Sequence, residues 1–311
     1  MMKSYYSNGK LLLSGEYFVL DGARSLAIPT RFGQKMTVKE ISSRQLVWQS
    51  FNEEKNCWLE AIFDLPKLRL SKANYEAATD GGIDGIAETL FDILIKVKAI
   101  NPSIFNVKEG LQIETFLNFP RDWGLGSSST LINNIASWAS IDPYVLLDRT
   151  FKGSGYDIAA AQSEKPLIYT RSKNGPIVEA VPFNPKFKDQ LFFVHLNKKQ
   201  SSREGIQRYQ SLKGKVTSQI KEISEVTDGM VRATSLEDFE KLLAEHERIV
   251  AATIKLPPIQ EALFSDYFGQ IKSLGAWGGD FILATGDQRT KAYFSEKGFE
   301  TVVPYKKMIL K

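Results

Sequence analysis

Residues 118–129 read NFPRDWGLGSSS and run into Thr130-Leu131-Ile132-Asn133-Asn134-Ile135-Ala136-Ser137-Trp138, whose apolar positions recur at helical spacing. Gly124 and Gly126 permit positive φ and a close approach of the backbone to a ligand. Ser127, Ser128 and Ser129 are residue types that cap helix starts. Just upstream, Leu111-Gln112-Ile113-Glu114-Thr115-Phe116-Leu117 alternates as a strand does. A strand, a glycine loop and a helix in that order leave backbone N–H groups free at the positive end of a helix dipole. That is an anion site, most usefully a phosphate site. A serine cluster that merely caps a helix is the alternative, and the preceding strand favours phosphate.

Common phosphate fingerprints are absent. No lysine follows the second glycine as a GxxxxGK[ST] loop requires, and Ser129 stands where GxGxxG needs its last glycine. There is no GxSxG elbow and no protein-kinase HRD and DFG set.

A length of 311 residues predicts two domains, and 43% hydrophobic content with 19 Phe and 5 Trp supplies a core. The net charge of +4 is spread among interleaved acids and bases, which predicts no nucleic-acid partner. The single cysteine, Cys57, excludes an intramolecular disulfide and reads as a core or strand residue in a reducing compartment. No run is long enough to span a membrane and the amino terminus has no apolar leader, so the expected location is cytoplasmic.

Toward the amino terminus, Leu11-Leu12-Leu13 and Tyr17-Phe18-Val19-Leu20 read as two strands, with Gly15-Glu16 interrupting the apolar run, and Asp21-Gly22 is a hairpin-turn signal. Lys10 opens the first of them, where a lysine commonly serves as a solvated end. Strand alternation continues from Gln34 to Phe63, and Ile86, Leu90, Ile93, Leu94 and Val97 predict a helix over 84–100. After the glycine loop, Asp142-Pro143 begins a short helix running to about Phe151. Then comes Lys152-Gly153-Ser154-Gly155-Tyr156-Asp157, followed by Ala159, Ala160 and Ala161, whose small side chains permit close helix packing. Asp157 reads equally as a turn or N-cap aspartate. Residues 168–181 predict a hairpin.

A boundary near Asn184 divides the chain into domains 1–184 and 185–311. The second domain predicts strands at 191–196, 281–284 and 301–303 and helical patterns at 204–226, 236–254 and 257–273, an α+β arrangement. His195 and His246 read as packed or surface residues. A third glycine string, Leu274 to Phe281 (LGAWGGDF), leads into a strand, as a plain turn or a close approach to a ligand.

In their joint order, Asn8-Gly9-Lys10-Leu11 with Gly15-Glu16-Tyr17, Gly124-Leu125-Gly126-Ser127-Ser128-Ser129, Gly153-Ser154-Gly155-Tyr156-Asp157 and Gly275-Ala276-Trp277-Gly278-Gly279-Asp280 resemble the GHMP kinases. The likeness spans nearly the whole chain and is greatest to the phosphomevalonate kinase and mevalonate kinase branch. It implies an α+β, two-domain GHMP kinase fold, with a ribosomal protein S5 domain 2-like amino-terminal domain and a ferredoxin-like carboxy-terminal domain. It also implies ATP and Mg²⁺ as cofactors, a small-molecule acceptor, no nucleic-acid or membrane partner, and a monomer or homodimer.

The resemblance further implies roles. Amides of Gly124, Leu125, Gly126, Ser127, Ser128 and Ser129 would hold the nucleotide phosphates, and Ser128 would give a hydroxyl to Mg²⁺. Asp157 would orient or deprotonate the acceptor, with Lys10 beside it as the second catalytic residue. Glu16, Gly275, Ala276, Gly278 and Gly279 would bind substrate. The family's acidic Mg²⁺ ligand has no clear counterpart, and Asp148 is the acid that stands nearest to its place in sequence. Trp277 stands where the family usually has glycine. Lys152, Lys198, Lys199 and Arg203 are cations available to a phosphorylated acceptor. The implied activity is transfer of the ATP γ-phosphoryl group to an alcohol or phosphate. A diphosphomevalonate-type decarboxylase and a catalytically silent ligand-binding or regulatory protein are the alternatives.

Overall fold

The computed structural model describes residues 2–75, 85–198, 202–212, 215–275, 277 and 279–310. In chain order the elements are β1 (Lys3–Leu12), β2 (Ser25–Ile41), β3 (Gln45–Phe51), β4 (Cys57–Asp64), β5 (Arg69–Tyr75), α1 (Ile86–Ile100), β6 (Gly110–Leu117), α2 (Ser127–Ala139), α3 (Pro143–Arg149), α4 (Tyr156–Gln162), β7 (Leu167–Ser172) and β8 (Gly175–Ala180). There follow β9 (Leu191–His195), α5 (Ser202–Gln210), α6 (Thr217–Arg232), α7 (Leu236–Ile254), α8 (Ile259–Leu263), β10 (Ile271–Ser273), β11 (Phe281–Thr285), α9 (Arg289–Glu296), β12 (Val302–Pro304) and α10 (Tyr305–Met308). The architecture is α+β, with a large mixed sheet and a second, small antiparallel sheet.

Two compact units, each discontinuous in sequence, divide these elements. The first comprises Met1–Gly9, Phe32–Arg121 and Gly126–Gln162. Its strands run in the order β5-β4-β3-β6-β2, with β3 and β6 parallel and the other pairs antiparallel. Period-two alternation puts Trp48, Ala61 and Ile113 in register on one face, the small alanine beside the large indole. Leu90, Ile93, Leu94 and Val97 of α1 and Ile132 and Ile135 of α2 complete that core. Each such side chain contributes about 1.5–3 kcal/mol through burial.

The second unit comprises Lys10–Arg31, Asp122–Leu125 and Ser163–Lys311. Here β7 pairs with the start of β2 and with β8. A four-stranded antiparallel sheet runs β10-β11-β9-β12. Val194, Phe264, Ile271, Ile282 and Phe294 form a core on this sheet.

Several local expectations change. Tyr17-Phe18-Val19-Leu20 is not a strand: Phe18–Asp21 is a 3-10 turn, entered by Gly15 at φ 94° and Tyr17 at φ 63° and left by Gly22 at φ 88°. These positive φ values exclude an extended path. The pattern 257–273 is not one helix either; only Ile259–Leu263 is helical and Ile271–Ser273 is a strand. Gly269 lies so close to the Thr285 carbonyl that an added Cβ would stand 2.1 Å from its oxygen. Cys57 opens β4 but is exposed rather than in the core. No described helix is long and apolar enough to cross a membrane.

Candidate active site

The loop from β6 to α2 has the predicted order, with one correction at the helix start. Gly124 and Gly126 adopt φ 64° and 88°. Gly126, not a serine, is the N-cap of α2, and no side chain caps that end. The left-handed conformation at the cap excludes serine in favour of glycine. The Ser129 hydroxyl instead donates back to the Gly126 carbonyl at 2.8 Å, and Ser128 is exposed in the first turn. Amides of the first turn of α2 therefore have no side-chain acceptor, as an anion site requires.

Lys10 fixes the orientation of the loop peptides. Its backbone N–H donates to the Leu125 carbonyl at 2.9 Å, and its Nζ donates to the Gly124 carbonyl at 3.0 Å. In a trans peptide the N–H points opposite the C=O. With both carbonyls turned to Lys10, the amides of Leu125 and Gly126 point to the other side of the loop. Leu125 is fully buried and anchors the turn. Asp280, itself at φ 53°, sets its carboxylate against Gly124: a Cβ there would stand 2.5 Å from Oδ2. The preceding residues pack on the small sheet, with Trp123 edge-on to Phe281 and His195 Nε2 donating to the Asp122 carbonyl at 3.2 Å.

Asp157 lies in the first turn of α4, after Gly155 at φ 92°. Ile158, Ala159, Ala160 and Ala161 are buried, and Gln162 Nε2 donates to Asn133 Oδ1 of α2 at 2.9 Å. Burial foremost, then Asp142 and Asp157, pushes the nearby Tyr144 phenol up to about 12. This couples Asp157 to α3, whose N-cap Asp142 accepts the Tyr144 amide proton as the sequence predicts. Asp148 is exposed on α3. Among the described residues no three His, Cys, Asp or Glu stand together as a metal site. Ser128, exposed in the first turn of α2, presents a hydroxyl oxygen, the hard donor type that Mg²⁺ takes.

Glu16 has another setting. Its carboxylate is fully buried, with Oε1 2.6 Å from Lys272 Nζ and Oε2 3.0 Å from His246 Nε2. Burial is the largest single influence and pushes this carboxyl up, but its buried partners, Lys272 foremost, together outweigh it and hold the group at about 2. Burial, with Lys272 adding to it, pushes His246 down. Its Nε2 accepts the Gly15 N–H at 3.0 Å, as an imidazole nitrogen without a proton does. With Nε2 so engaged, Glu16 Oε2 has no hydrogen bond. Glu247, beside them on α7, is pushed up to about 8, mainly by burial. Lys272, Glu247 and His246 as a partner set escaped sequence reasoning, because Glu16 and Lys272 are 256 residues apart and no local string links them.

Of the third glycine string, Gly275 adopts φ 66°, and Trp277 and Gly279 are buried. Ala276, Gly278, Lys199 and the side chain of Arg203 lie outside the described residues. Lys152 is exposed at φ 59°, and the Lys198 carbonyl accepts the Asp280 N–H at 2.9 Å.

No protein-family model matches the chain, and no curated protein matches it in sequence. Solved structures do match its fold. The Methanococcus jannaschii mevalonate kinase superposes with a TM-score of 0.70 at 17% identity, over 97% of this chain and 96% of that one. The Streptococcus pneumoniae phosphomevalonate kinase in complex with phosphomevalonate and AMPPNP gives a TM-score of 0.66 at 15% identity, over 97% and 99%. The Lactococcus lactis galactokinase complexed with galactose gives 0.66 at 12% identity, over 99% and 93%. The chain therefore has the two-domain α+β fold of the GHMP kinases, which are its structural neighbours.

Proposed function

We propose that the chain is an ATP- and Mg²⁺-dependent small-molecule kinase of the mevalonate or phosphomevalonate type. The observation that carries this reading is the glycine loop: both carbonyls of Gly124 and Leu125 are held by Lys10, and the uncapped start of α2 follows. Such a backbone suits phosphate oxygens. Nucleotide and phosphorylated acceptor in one neighbour, and a sugar in another, support a phosphoryl transfer to an alcohol or phosphate oxygen.

In this reading the amides from Gly124 to Ser129 bind the β- and γ-phosphates. The Ser128 hydroxyl would hold Mg²⁺ beside the nucleotide, where the ion would supply charge that offsets the phosphates. The bond from the γ-phosphorus to the β–γ bridging oxygen breaks as one to the acceptor oxygen forms, and ADP leaves. An alcohol acceptor gives its proton to Asp157, a contribution of about 10²–10⁴ in rate. Lys10 holds the loop and adds positive charge beside the transferred group.

A catalytically silent nucleotide-binding protein is the second reading, favoured by the lack of a three-residue acidic cluster among the described residues. Calorimetric titration with AMPPNP, with and without Mg²⁺, tests the nucleotide assignment. Binding that needs Mg²⁺ and weakens in Ser128→Ala supports it; no binding under either condition removes it.

A further inference from the structure

Of the two residues after Gly15, one holds the end of the strand that leads into the third glycine string and the other holds a residue within it. Glu16 Oε1 accepts from Lys272 Nζ, which also donates to the Ser273 carbonyl at 2.7 Å. The Ser273 hydroxyl donates to Glu247 Oε2 at 3.3 Å. The end of β10 is thus gripped by Glu16 through a fully buried lysine, and by α7 from its own side. Next in sequence, the Tyr17 hydroxyl accepts the Trp277 backbone N–H at 3.3 Å. Trp277 is itself buried, with its indole Nε1 donating to the Pro257 carbonyl at 3.1 Å.

Tyr17 holds this position at a backbone cost. Its φ of 63° and ψ of −47° lie outside the regions that side-chain-bearing residues favour. Such strain persists where surroundings over-determine it. Here the ring stacks on Tyr209 with centroids 6.1 Å apart. Gly205 leaves room for the hydroxyl, since a Cβ there would stand 2.3 Å from it.

We infer that Glu16 and Tyr17 are positioning residues: Glu16 sets the end of β10 through Lys272, and Tyr17 sets the Trp277 backbone. Glu16 has no exposed side-chain surface with which to meet a ligand, so its influence on substrate passes through the residues it holds. That the third glycine string meets the acceptor rests on the kinase reading; the anchoring itself does not.

Residue-resolved hydrogen exchange on the full chain without ligand tests the anchoring, independently of any activity. In Tyr17→Phe the Trp277 amide should exchange about tenfold faster, as local opening predicts, while Val194 and Leu283 in the small sheet keep their rates. In Glu16→Gln the Leu274 amide, which donates to the Phe281 carbonyl at 3.1 Å, should exchange faster by a similar factor. Adding Lys272→Met to Glu16→Gln removes both the unpaired buried charge and the tie to the Ser273 carbonyl, so Leu274 should stay less protected; protection restored in the double variant would report only the cost of an unpaired charge and would overturn the proposal. Unchanged exchange at Trp277 and Leu274 would overturn the proposal. So would an equal rise at Val194 and Leu283, which would report only a global loss of stability.

Discussion

The carboxylate of Asp280 occupies the space that a side chain at Gly124 would need. An added Cβ would stand 2.5 Å from Asp280 Oδ2 and 2.9 Å from its Cβ. Gly124 also sits at φ 64°, in the left-handed region. Gly124→Ala should therefore destabilise the chain by about 1–3 kcal/mol through backbone strain and the displaced aspartate. Urea unfolding measures this. Asp280→Ala should recover part of the loss in the double variant, a coupling of about 0.5–3 kcal/mol expected for residues in contact.

Lys10 donates to the carbonyls of Gly124 and Leu125 through Nζ and backbone N–H respectively. Lys10→Met keeps the backbone bond and loses the ammonium. Turnover should fall about 10²–10³-fold, the range for removing one donor at a charged transition state. Thermal unfolding should move little, since Lys10 is not fully buried.

The buried cluster gives a pH dependence with a definite sign. Glu247 has its folded pKa raised to about 8 from the ordinary carboxyl value of 4.5, burial being the main cause. The fold prefers the protonated carboxyl, so this contribution to stability is complete below pH 4.5 and is lost as pH rises toward 8. Full loss is on the order of 4–5 kcal/mol by linkage. Glu16 has the opposite sign: held at about 2, it stabilises above pH 4.5, and that contribution is lost as pH falls toward 2. Urea unfolding at pH 5, 7 and 8.5 should show a decline across this series that Glu247→Gln, which cannot ionise, reduces.

Glu16→Ala should be among the more damaging single changes in the chain. It leaves the fully buried Lys272 ammonium with only the Ser273 carbonyl as an acceptor among the bonds that hold it here. Breaking one side of a buried pair costs about 3–5 kcal/mol. A drop in the urea midpoint with an unchanged denaturant slope would carry that signature.

The acceptor class follows from the cost of losing Asp157. Asp157→Asn should lower turnover about 10²–10⁴-fold with an alcohol acceptor, whose proton must be removed. With a phosphate acceptor, already ionised near neutral pH, the loss should be smaller. Steady-state rates of the variant on both kinds of acceptor separate the two.

Much of this was legible along the chain. Leu111 to Leu117 alternates because one face of β6 is buried, and Asp142 caps α3 through a local bond to Tyr144. The glycine loop could be read because strand, positive-φ glycines and helix follow one another directly. Tyr17 to Leu20 gives no such signal, because an apolar run looks the same in a buried turn as in a strand. Its path is set by Gly15, which has no room for a side chain beside Ser25. The Glu16 cluster had no local signal at all, for its members come from a turn, a helix and a strand brought together only by the fold. Glu247, one place after His246, carries no local signal either; its burial comes from packing, not from neighbours in sequence.

Phosphoryl transfer itself is tested most directly by ADP release from Mg·ATP in a coupled assay. Mevalonate, phosphomevalonate and a panel of sugars and amino alcohols are offered separately to the unmodified chain and to Asp157→Asn. The account predicts acceptor-dependent ADP release with one class of acceptor, reduced in the variant. Nucleotide bound by the chain with no acceptor-dependent ADP release from any member of the panel would contradict it.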